Sequence, residues 1–211
     1  MGLKTMYGGL LKTLFILVLL LQEGRSLDIV VTNGAYSNVV VAIGDDLDES
    51  SCKIYVDNIE AMINSASLVL YSATKERLFF SSVTILIPNN WTSCGPVKID
   101  PNVDQLTFEE SHIRVHSPHP FFGNNPWTQQ PRGCGDPGEY IYFSHDFLSE
   151  ESPKLGSQGS VLVHEWAKFR WGVFEEYGHV GDSIFPPAYH TSATDWQPNY
   201  CTDGTVNVNY Q

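Results

Sequence analysis

The residues whose types and spacing could carry out chemistry form the pentapeptide His164-Glu165-Trp166-Ala167-Lys168. In the zinc-protease motif H-E-x-x-H, two histidines four residues apart point from one helix face at one Zn²⁺. The glutamate between them is the general base that acts on the metal-bound water. Position 168 holds a lysine, whose ammonium group has no lone pair for a metal and repels it. The pentapeptide therefore predicts a protease-like helix and argues against protease chemistry.

Hydrophobic periodicity predicts the elements that must position this pentapeptide. Residues 157–171 are predicted to form its helix, with polar residues leading in and Gly172 as the terminator. Upstream, Val39–Ile43 is predicted as a buried strand and Ile54–Leu70 as a helix, because its apolar residues recur at helical spacing. The alternation of apolar residues predicts one further strand over Arg77–Ile87.

The remaining segments complete a predicted α+β fold. Residues 112–116 are predicted as a short strand, 118–137 as a long loop rich in Pro, Gly and Asn, and Tyr140–Phe143 as an edge strand beside the site. Beyond Gly178 we expect loop to the end of the chain. This order predicts a zincin-like metalloprotease subdomain, in which a small mixed sheet lies over an active-site helix and the cleft runs along an edge strand.

The first 26 residues have the pattern of a secretory signal peptide. A basic flank containing Lys4 and Lys12 precedes an apolar run at 14–21, and a short polar exit follows at 22–26. The run is too short to span a bilayer comfortably, although an uncleaved anchor is the alternative, and no later segment is apolar enough to cross. We expect a secreted, extracellular mature chain without a membrane span.

The mature chain is predicted to be strongly acidic. Residues 1–26 carry three basic side chains and one acidic one, so their removal changes the net charge from −12 to −14. Such a charge argues against nucleic-acid binding, because phosphate backbones require basic surfaces.

Two kinds of modification are predicted for a secreted chain. Four cysteines allow two disulfides in three connectivities: Cys52, Cys94, Cys134 and Cys201. Their spacing is not that of a structural zinc site. Asn90-Trp91-Thr92 is an N-glycosylation sequon in a Pro- and Asn-rich context, which predicts a glycosylated surface loop at Asn90.

A second candidate site is the group His112, His116 and His119. On a strand, residues 112 and 116 share a face, so a surface metal site is one interpretation. The interpretation that we prefer is that these are solvated loop histidines.

The segment Val163–Tyr177 resembles the N-terminal metalloprotease domain of the calcium-activated chloride channel regulator family, which has H-E-W-A-H-L-R-W-G-V-F-D-E-Y there. Further matches are spread along the mature chain, at Val39–Ile43, Val83–Trp91, Cys134–Glu139 and Gly156–Gly159. Full-length members continue into a cysteine-rich segment, a von Willebrand factor A domain and β-sandwich modules. The resemblance therefore implies a metalloprotease-like domain over 27–199, the start of a truncated cysteine-rich segment over 200–211, and greatest similarity to a short, truncated member.

The resemblance also assigns roles at the site. His164 would be the first zinc ligand and Glu165 the general base, while Lys168 stands at the second histidine and Glu175 at an aspartate that is the third ligand. Asp to Glu keeps the carboxylate. Loss of one of three protein ligands should weaken zinc binding by on the order of 10²–10⁴-fold. Two nearby residues could substitute as ligands, Glu176 and His179.

Three functions follow. The preferred one is a secreted, truncated regulator-family protein with a degenerate metalloprotease domain, linked by resemblance to modulation of calcium-activated chloride conductance. It would act by contact with a chloride channel or another membrane protein at the cell surface, and Lys168 would pair with Glu165 or Glu175. The alternatives are an active zinc metalloendopeptidase that acts on itself or relatives, and a non-functional truncated product.

Overall fold

The computed structural model describes residues 28–92, 94, 106–133, 135–149, 155–175, 178, 188–192 and 195–198. Several predicted features lie outside these residues: the signal peptide, Cys134, Glu176, His179, Cys201 and the segment 200–211.

Ten strands and three α-helices make up the described chain, which has a mixed α/β fold. The strands are β1 (Val30–Thr32), β2 (Ala35–Ser37), β3 (Val39–Ile43), β4 (Phe79–Phe80), β5 (Val83–Leu86), β6 (Ile113–His116), β7 (Trp127–Gln129), β8 (Tyr140–Ser144), β9 (Ala188–Ser192) and β10 (Asp195–Pro198). The helices are α1 (Cys52–Ala73), α2 (His145–Ser149) and α3 (Gln158–Trp171), and short 3₁₀ turns occur at Glu49–Ser51 and Phe108–Glu110.

The main sheet has five strands in the order β5-β3-β6-β8-β7. The first four are parallel to one another, and β7 is antiparallel to β8 at one edge. Strand β3 is buried along its whole length, as a central parallel strand rich in β-branched residues should be. Strands β1, β2 and β4 form a smaller sheet, and β9 pairs with β10.

Helices α1 and α3 contribute to the hydrophobic core with one face of the main sheet. The buried residues of α1 recur at helical spacing, as expected for a helix with one face in the core. They are Cys52, Tyr55, Ile59, Met62, Ile63, Ala66 and Leu70. The two helices approach closely at Gly159, where a Cβ atom would lie 2.3 Å from Ser65 Oγ and 2.6 Å from the Ala66 nitrogen. Glycine at 159 therefore permits the packing that fixes α3 against the core.

A disulfide joins Cys52 and Cys94, with their Cα atoms 5.3 Å apart. It connects the first residue of α1 to the segment that follows Thr92. The sequence left three connectivities open, and this bond fixes the partner of each of these two cysteines.

Most predicted elements are confirmed, but the single strand over 77–87 is wrong. The predicted strand is interrupted at Ser81 and Ser82, whose backbone nitrogens both donate to the carbonyl oxygen of Tyr36. Residues before the break pair with β2, whereas residues after it pair with β3. The alternation of apolar side chains continues from β4 into β5, although the two strands belong to different sheets. Such alternation indicates extended backbone but does not indicate which strand is the hydrogen-bonding partner.

The predicted loop over 118–137 and the edge position of residues 140–143 are also wrong. Strand β7 lies within that segment and pairs with β8, so β8 is an inner strand and β7 is the edge. The loop predicted beyond Gly178 contains β9 and β10. Strands of three to five residues bounded by Pro and Gly carry too little periodicity to be recognised from sequence.

Candidate functional site

Helix α3, which carries the motif, has well-defined ends. Ser157 caps its first turn, because Ser157 Oγ accepts a hydrogen bond from the Ser160 nitrogen at 3.1 Å. Gly172 ends it in the left-handed conformation with φ of 64°, and the Gly172 nitrogen donates to the Lys168 oxygen at 3.0 Å. A Cβ atom at 172 would lie 2.3 Å from the Asp136 oxygen, so glycine is required here.

The reversal after Gly172 brings Glu175 back to the helix, where four side chains form a charged cluster: His164, Glu165, Lys168 and Glu175. Lys168 Nζ lies 3.0 Å from Glu165 Oε2 and 2.5 Å from Glu175 Oε1. His164 Nε2 lies 3.0 Å from Glu175 Oε2. The lysine ammonium thus bridges the two carboxylates, and the imidazole of His164 contacts the oxygen of Glu175 that Lys168 does not contact.

The charged cluster is largely shielded from solvent. The side chains of Glu165, Lys168 and Glu175 are 5%, 11% and 16% exposed, and only His164, at 45%, faces water substantially. Buried charges are tolerated where they are paired and hydrogen-bonded. The pairing of Lys168 with both carboxylates meets that requirement and confirms the predicted partners of this lysine.

Thr128 on the edge strand β7 orients Glu165. Its Oγ1 lies 2.7 Å from Glu165 Oε2 and 3.0 Å from the Glu165 carbonyl oxygen, and the threonine is itself buried. Sequence reasoning missed this residue because it lies in the segment predicted as loop. A threonine in a three-residue strand gives no signal of its own.

Hydrogen bonding within the charged cluster shifts two pKa values in opposite directions. The hydrogen bond to Glu175 raises the pKa of His164, and this effect exceeds the lowering caused by burial. Burial raises the pKa of Glu175, but hydrogen bonds from His164 and Lys168 outweigh it and lower that pKa to about 2. Glu175 is therefore a carboxylate at any physiological pH.

The charged cluster contains a set of possible metal ligands but does not fit a catalytic zinc ion. Ligand atoms of His164, Glu165 and Glu175 all lie within 4.8 Å of one another. A catalytic zinc site uses three protein ligands plus water, with the general base held outside the ligand set. Among the described residues, one histidine and one carboxylate would remain as ligands beside Glu165, and the Lys168 ammonium contacts the carboxylates of both Glu165 and Glu175.

The three histidines of the second candidate site have different hydrogen-bond and ion-pair partners. His112 is buried, which contradicts the expectation of a solvated loop residue, and its Nδ1 accepts a hydrogen bond from the Val40 nitrogen at 3.0 Å. His116 Nδ1 lies 3.9 Å from Asp46 Oδ2. His119 Nδ1 accepts from two loop nitrogens, those of Phe121 and Phe122. Within the described ranges these histidines form no group of metal ligands.

Asn90 lies in an exposed turn, as predicted for the sequon. The third sequon residue, Thr92, is held by Glu49, whose Oε1 accepts hydrogen bonds from the Thr92 nitrogen and, at 3.2 Å, from Thr92 Oγ1. Glycosylation itself stays a prediction.

Across the described part of the chain, none of the helices combines the length and apolar character that a bilayer crossing requires.

Comparison with known proteins gives one consistent result. The family model described as "Calcium-activated chloride channel N terminal" matches residues 29–209. Calcium-activated chloride channel regulator 1 of Sus scrofa is 39% identical over 175 residues, which cover 82% of this chain and 18% of that protein. Regulator 2 of Homo sapiens is 38% identical over 149 residues, covering 70% and 15% of the two chains.

A further relative covers nearly the whole chain. Regulator 3A-1 of Mus musculus is 35% identical over 205 residues, which are 97% of this chain and 22% of the relative. The chain spans about a fifth of the length of the curated relatives it matches. No solved structure matches it.

Proposed function

Because this chain belongs to the calcium-activated chloride channel regulator family, we propose that it is a secreted, non-catalytic member with a degenerate zincin-like metalloprotease domain. It contributes to chloride conductance by contact with other proteins and not by peptide cleavage. The observation that carries this proposal is the position of Lys168 Nζ, which lies within 3.0 Å of both carboxylates of the charged cluster.

Two features of the charged cluster oppose hydrolysis. Position 168 supplies a positive charge where the motif needs a neutral imidazole ligand. Glu165, which would have to take a proton from a metal-bound water, is held by Lys168 at 3.0 Å and by Thr128 at 2.7 Å. Both contacts are to Oε2, so this oxygen already has two partners in the folded chain.

Contact with a membrane protein is the second part of the proposal. The relatives are named as regulators of a calcium-activated chloride channel. The predicted signal peptide would place the chain outside the cell, where a channel or another cell-surface protein is accessible. With a predicted mature net charge of −14, the partner surface should be neutral or basic.

One observation favours a second candidate, an active zinc metalloendopeptidase. His164, Glu165 and Glu175 are close enough to surround one ion. For that function Lys168 would have to lose its proton or move away, so its ion pairs with Glu165 and Glu175 would have to break.

Zinc content and proteolysis separate these candidates. The chain is purified from the medium of secreting cells, its zinc is measured by mass spectrometry, and cleavage of a peptide library and of itself is assayed. We expect substoichiometric zinc and no cleavage, with zinc gained in Lys168→His. Stoichiometric zinc together with cleavage abolished by Glu165→Gln would establish the endopeptidase instead.

The conductance role has its own test. Purified wild-type chain is added to cells that carry a calcium-activated chloride current, and the current is recorded in whole-cell mode. We expect the wild type and Glu165→Gln to change the current equally, because contact does not need the general base. A change seen only with Lys168→His, or no change with any folded chain, would contradict the proposal.

A further inference from the structure

A cavity of about 630 Å³ lies at the carboxyl ends of the parallel strands, and none of the charged-cluster residues lines it. Its walls include the last residues of three strands, Ile43 of β3, Leu86 of β5 and His116 of β6. In α/β sheets, crevices outside the carboxyl ends of parallel strands are the usual ligand sites. The volume is within the range of roughly 300–1,000 Å³ that such sites have.

The predicted sequon lies on the wall of this cavity. Asn90 is exposed and is itself a lining residue, together with the preceding Asn89. The first sugar attached to Asn90 Nδ2 would therefore lie at the cavity, and its covalent bond to Asn90 would keep it there at high local concentration.

The lining chemistry suits a sugar. Asp45, Glu109 and Asn89 offer oxygen atoms that can accept hydrogen bonds from hydroxyl groups, and Phe108 offers an aromatic ring for the apolar face of a pyranose. The described lining residues include neither lysine nor arginine.

We propose that this cavity holds the first sugars of an N-linked glycan on Asn90. The inference rests on the proposed secretion, since only a chain in the secretory pathway meets the donor, a lipid-pyrophosphate-linked oligosaccharide. In that transfer the bond between the anomeric carbon of N-acetylglucosamine and the pyrophosphate oxygen breaks, and a bond to Asn90 Nδ2 forms. The amide loses one proton and the lipid pyrophosphate leaves.

Transfer should precede folding. In the folded chain Thr92 Oγ1 is hydrogen-bonded to Glu49 Oε1 at 3.2 Å, and the neighbouring Thr92 nitrogen is bonded to the same oxygen. A sequon needs its threonine hydroxyl accessible to the transferase, as it is in the unfolded nascent chain. The glycan is then present when the sheet forms and can occupy the cavity from the start.

The experiment compares three glycan states of the full chain. The chain is secreted from cells that make only high-mannose glycans, and one sample is left untreated. A second sample is treated with endoglycosidase H, which leaves one N-acetylglucosamine. A third is treated with peptide-N-glycosidase F, which leaves no sugar. Peptide mass spectrometry measures occupancy at Asn90, and amide hydrogen exchange is followed at residues 44–47 and 86–89.

We expect full occupancy and severalfold slower exchange at both segments in the untreated and one-sugar forms than in the sugar-free form. Phe108→Ala should keep occupancy but lose most of this protection. The proposal is overturned if Asn90 of the secreted chain carries no sugar, or if the one-sugar and sugar-free forms exchange at the same rate.

A displaced glycan is the matched control. Lys75→Asn with Arg77→Thr, in an Asn90→Gln background, creates a sequon in an exposed turn where residue 75 already has φ of 53°, which asparagine tolerates. This variant should show the exchange rates of the sugar-free form at 44–47 and 86–89; protection there would overturn the proposal. Zinc and cleavage, measured on the same preparations, report on the proposed function independently of the glycan.

Discussion

At the scale of single residues, Lys168 decides what the charged cluster can do. A buried ammonium that contacts two carboxylates neutralises charge that would otherwise be unpaired in the core. The same contacts support the proposal that the charged cluster is not a zinc-dependent catalytic site. The lysine that replaces the second histidine of H-E-x-x-H thus makes α3 a salt-bridged helix in this structure.

Removing the ammonium should destabilise the fold strongly. Lys168→Met leaves Glu165 and Glu175 buried without their shared cation, and we expect a loss of about 3 kcal/mol in the free energy of unfolding, measured by urea denaturation. Lys53→Met is the matched control, because Lys53 forms an exposed ion pair with Asp57 on the surface of α1 and the variant should unfold like the wild type. Equal unfolding midpoints for the two variants would contradict the structural role of Lys168.

Stability should depend on pH through Glu175. Its pKa is about 2 in the folded chain and about 4.5 in the unfolded chain. The stabilisation is therefore complete above pH 4.5 and is lost as the pH falls towards 2. Urea denaturation of the wild type and Glu175→Gln should give a stability difference that shrinks as the pH falls below 4.5. A difference that stays the same down to pH 2.5 would show that Glu175 is not ion-paired.

At the scale of elements, the end of α3 matters as much as its sequence motif. Gly172 reverses the chain in the left-handed region, and its carbonyl oxygen accepts a hydrogen bond from the Gly135 nitrogen at 2.9 Å. This contact joins the end of α3 to the segment before β8. It fixes the chain reversal that brings Glu175 into contact with Lys168.

Substitution of this glycine should separate backbone strain from close packing. Gly172→Ala is expected to cost about 1–2 kcal/mol for the left-handed conformation and more for the clash with Asp136. Gly156→Ala is the control, because Gly156 has φ of 85° but no atom within 4 Å of the added Cβ. In thermal unfolding, the melting temperature of Gly172→Ala should be well below that of Gly156→Ala. Equal melting temperatures would refute the contribution of close packing at Gly172.

The elements also show how far sequence reasoning reaches. Strand β3 and helices α1 and α3 are predictable because each is long enough to show its period or its capping residues. Strand β7 is not predictable, because its three residues become a strand only through pairing with β8. Sequence reasoning predicted Glu165 or Glu175 as the partner of Lys168, whereas its pairing with both carboxylates and the contribution of Thr128 are seen only in the structure.

At the scale of the whole molecule, the described chain joins its elements by one large core and one covalent bond. The core runs continuously from β3 and α1 to β8 and α3. The disulfide between Cys52 and Cys94 joins the start of α1 to the region of the sequon, 42 residues further along. The elements that carry the charged cluster and those that line the cavity beside Asn90 therefore share one core.

Loss of this disulfide should lower the stability of the entire unit. Cys52→Ser combined with Cys94→Ser is expected to lose about 3–4 kcal/mol, the value for closing a loop of this length. Urea denaturation measures the loss, and non-reducing peptide mapping of the wild type is the check on connectivity. A map in which Cys94 is linked to a cysteine other than Cys52 would contradict the structure.

The bridging ammonium has a consequence for where and when the chain can fold. A metal ion must be captured from the surrounding fluid, so a metal-centred fold depends on supply and is lost to chelators. The cation between Glu165 and Glu175 is instead a side chain of α3, present in every copy from the moment of synthesis. Folding that does not depend on the supply of zinc, and persistence of the fold in the presence of chelators, follow from that covalent link.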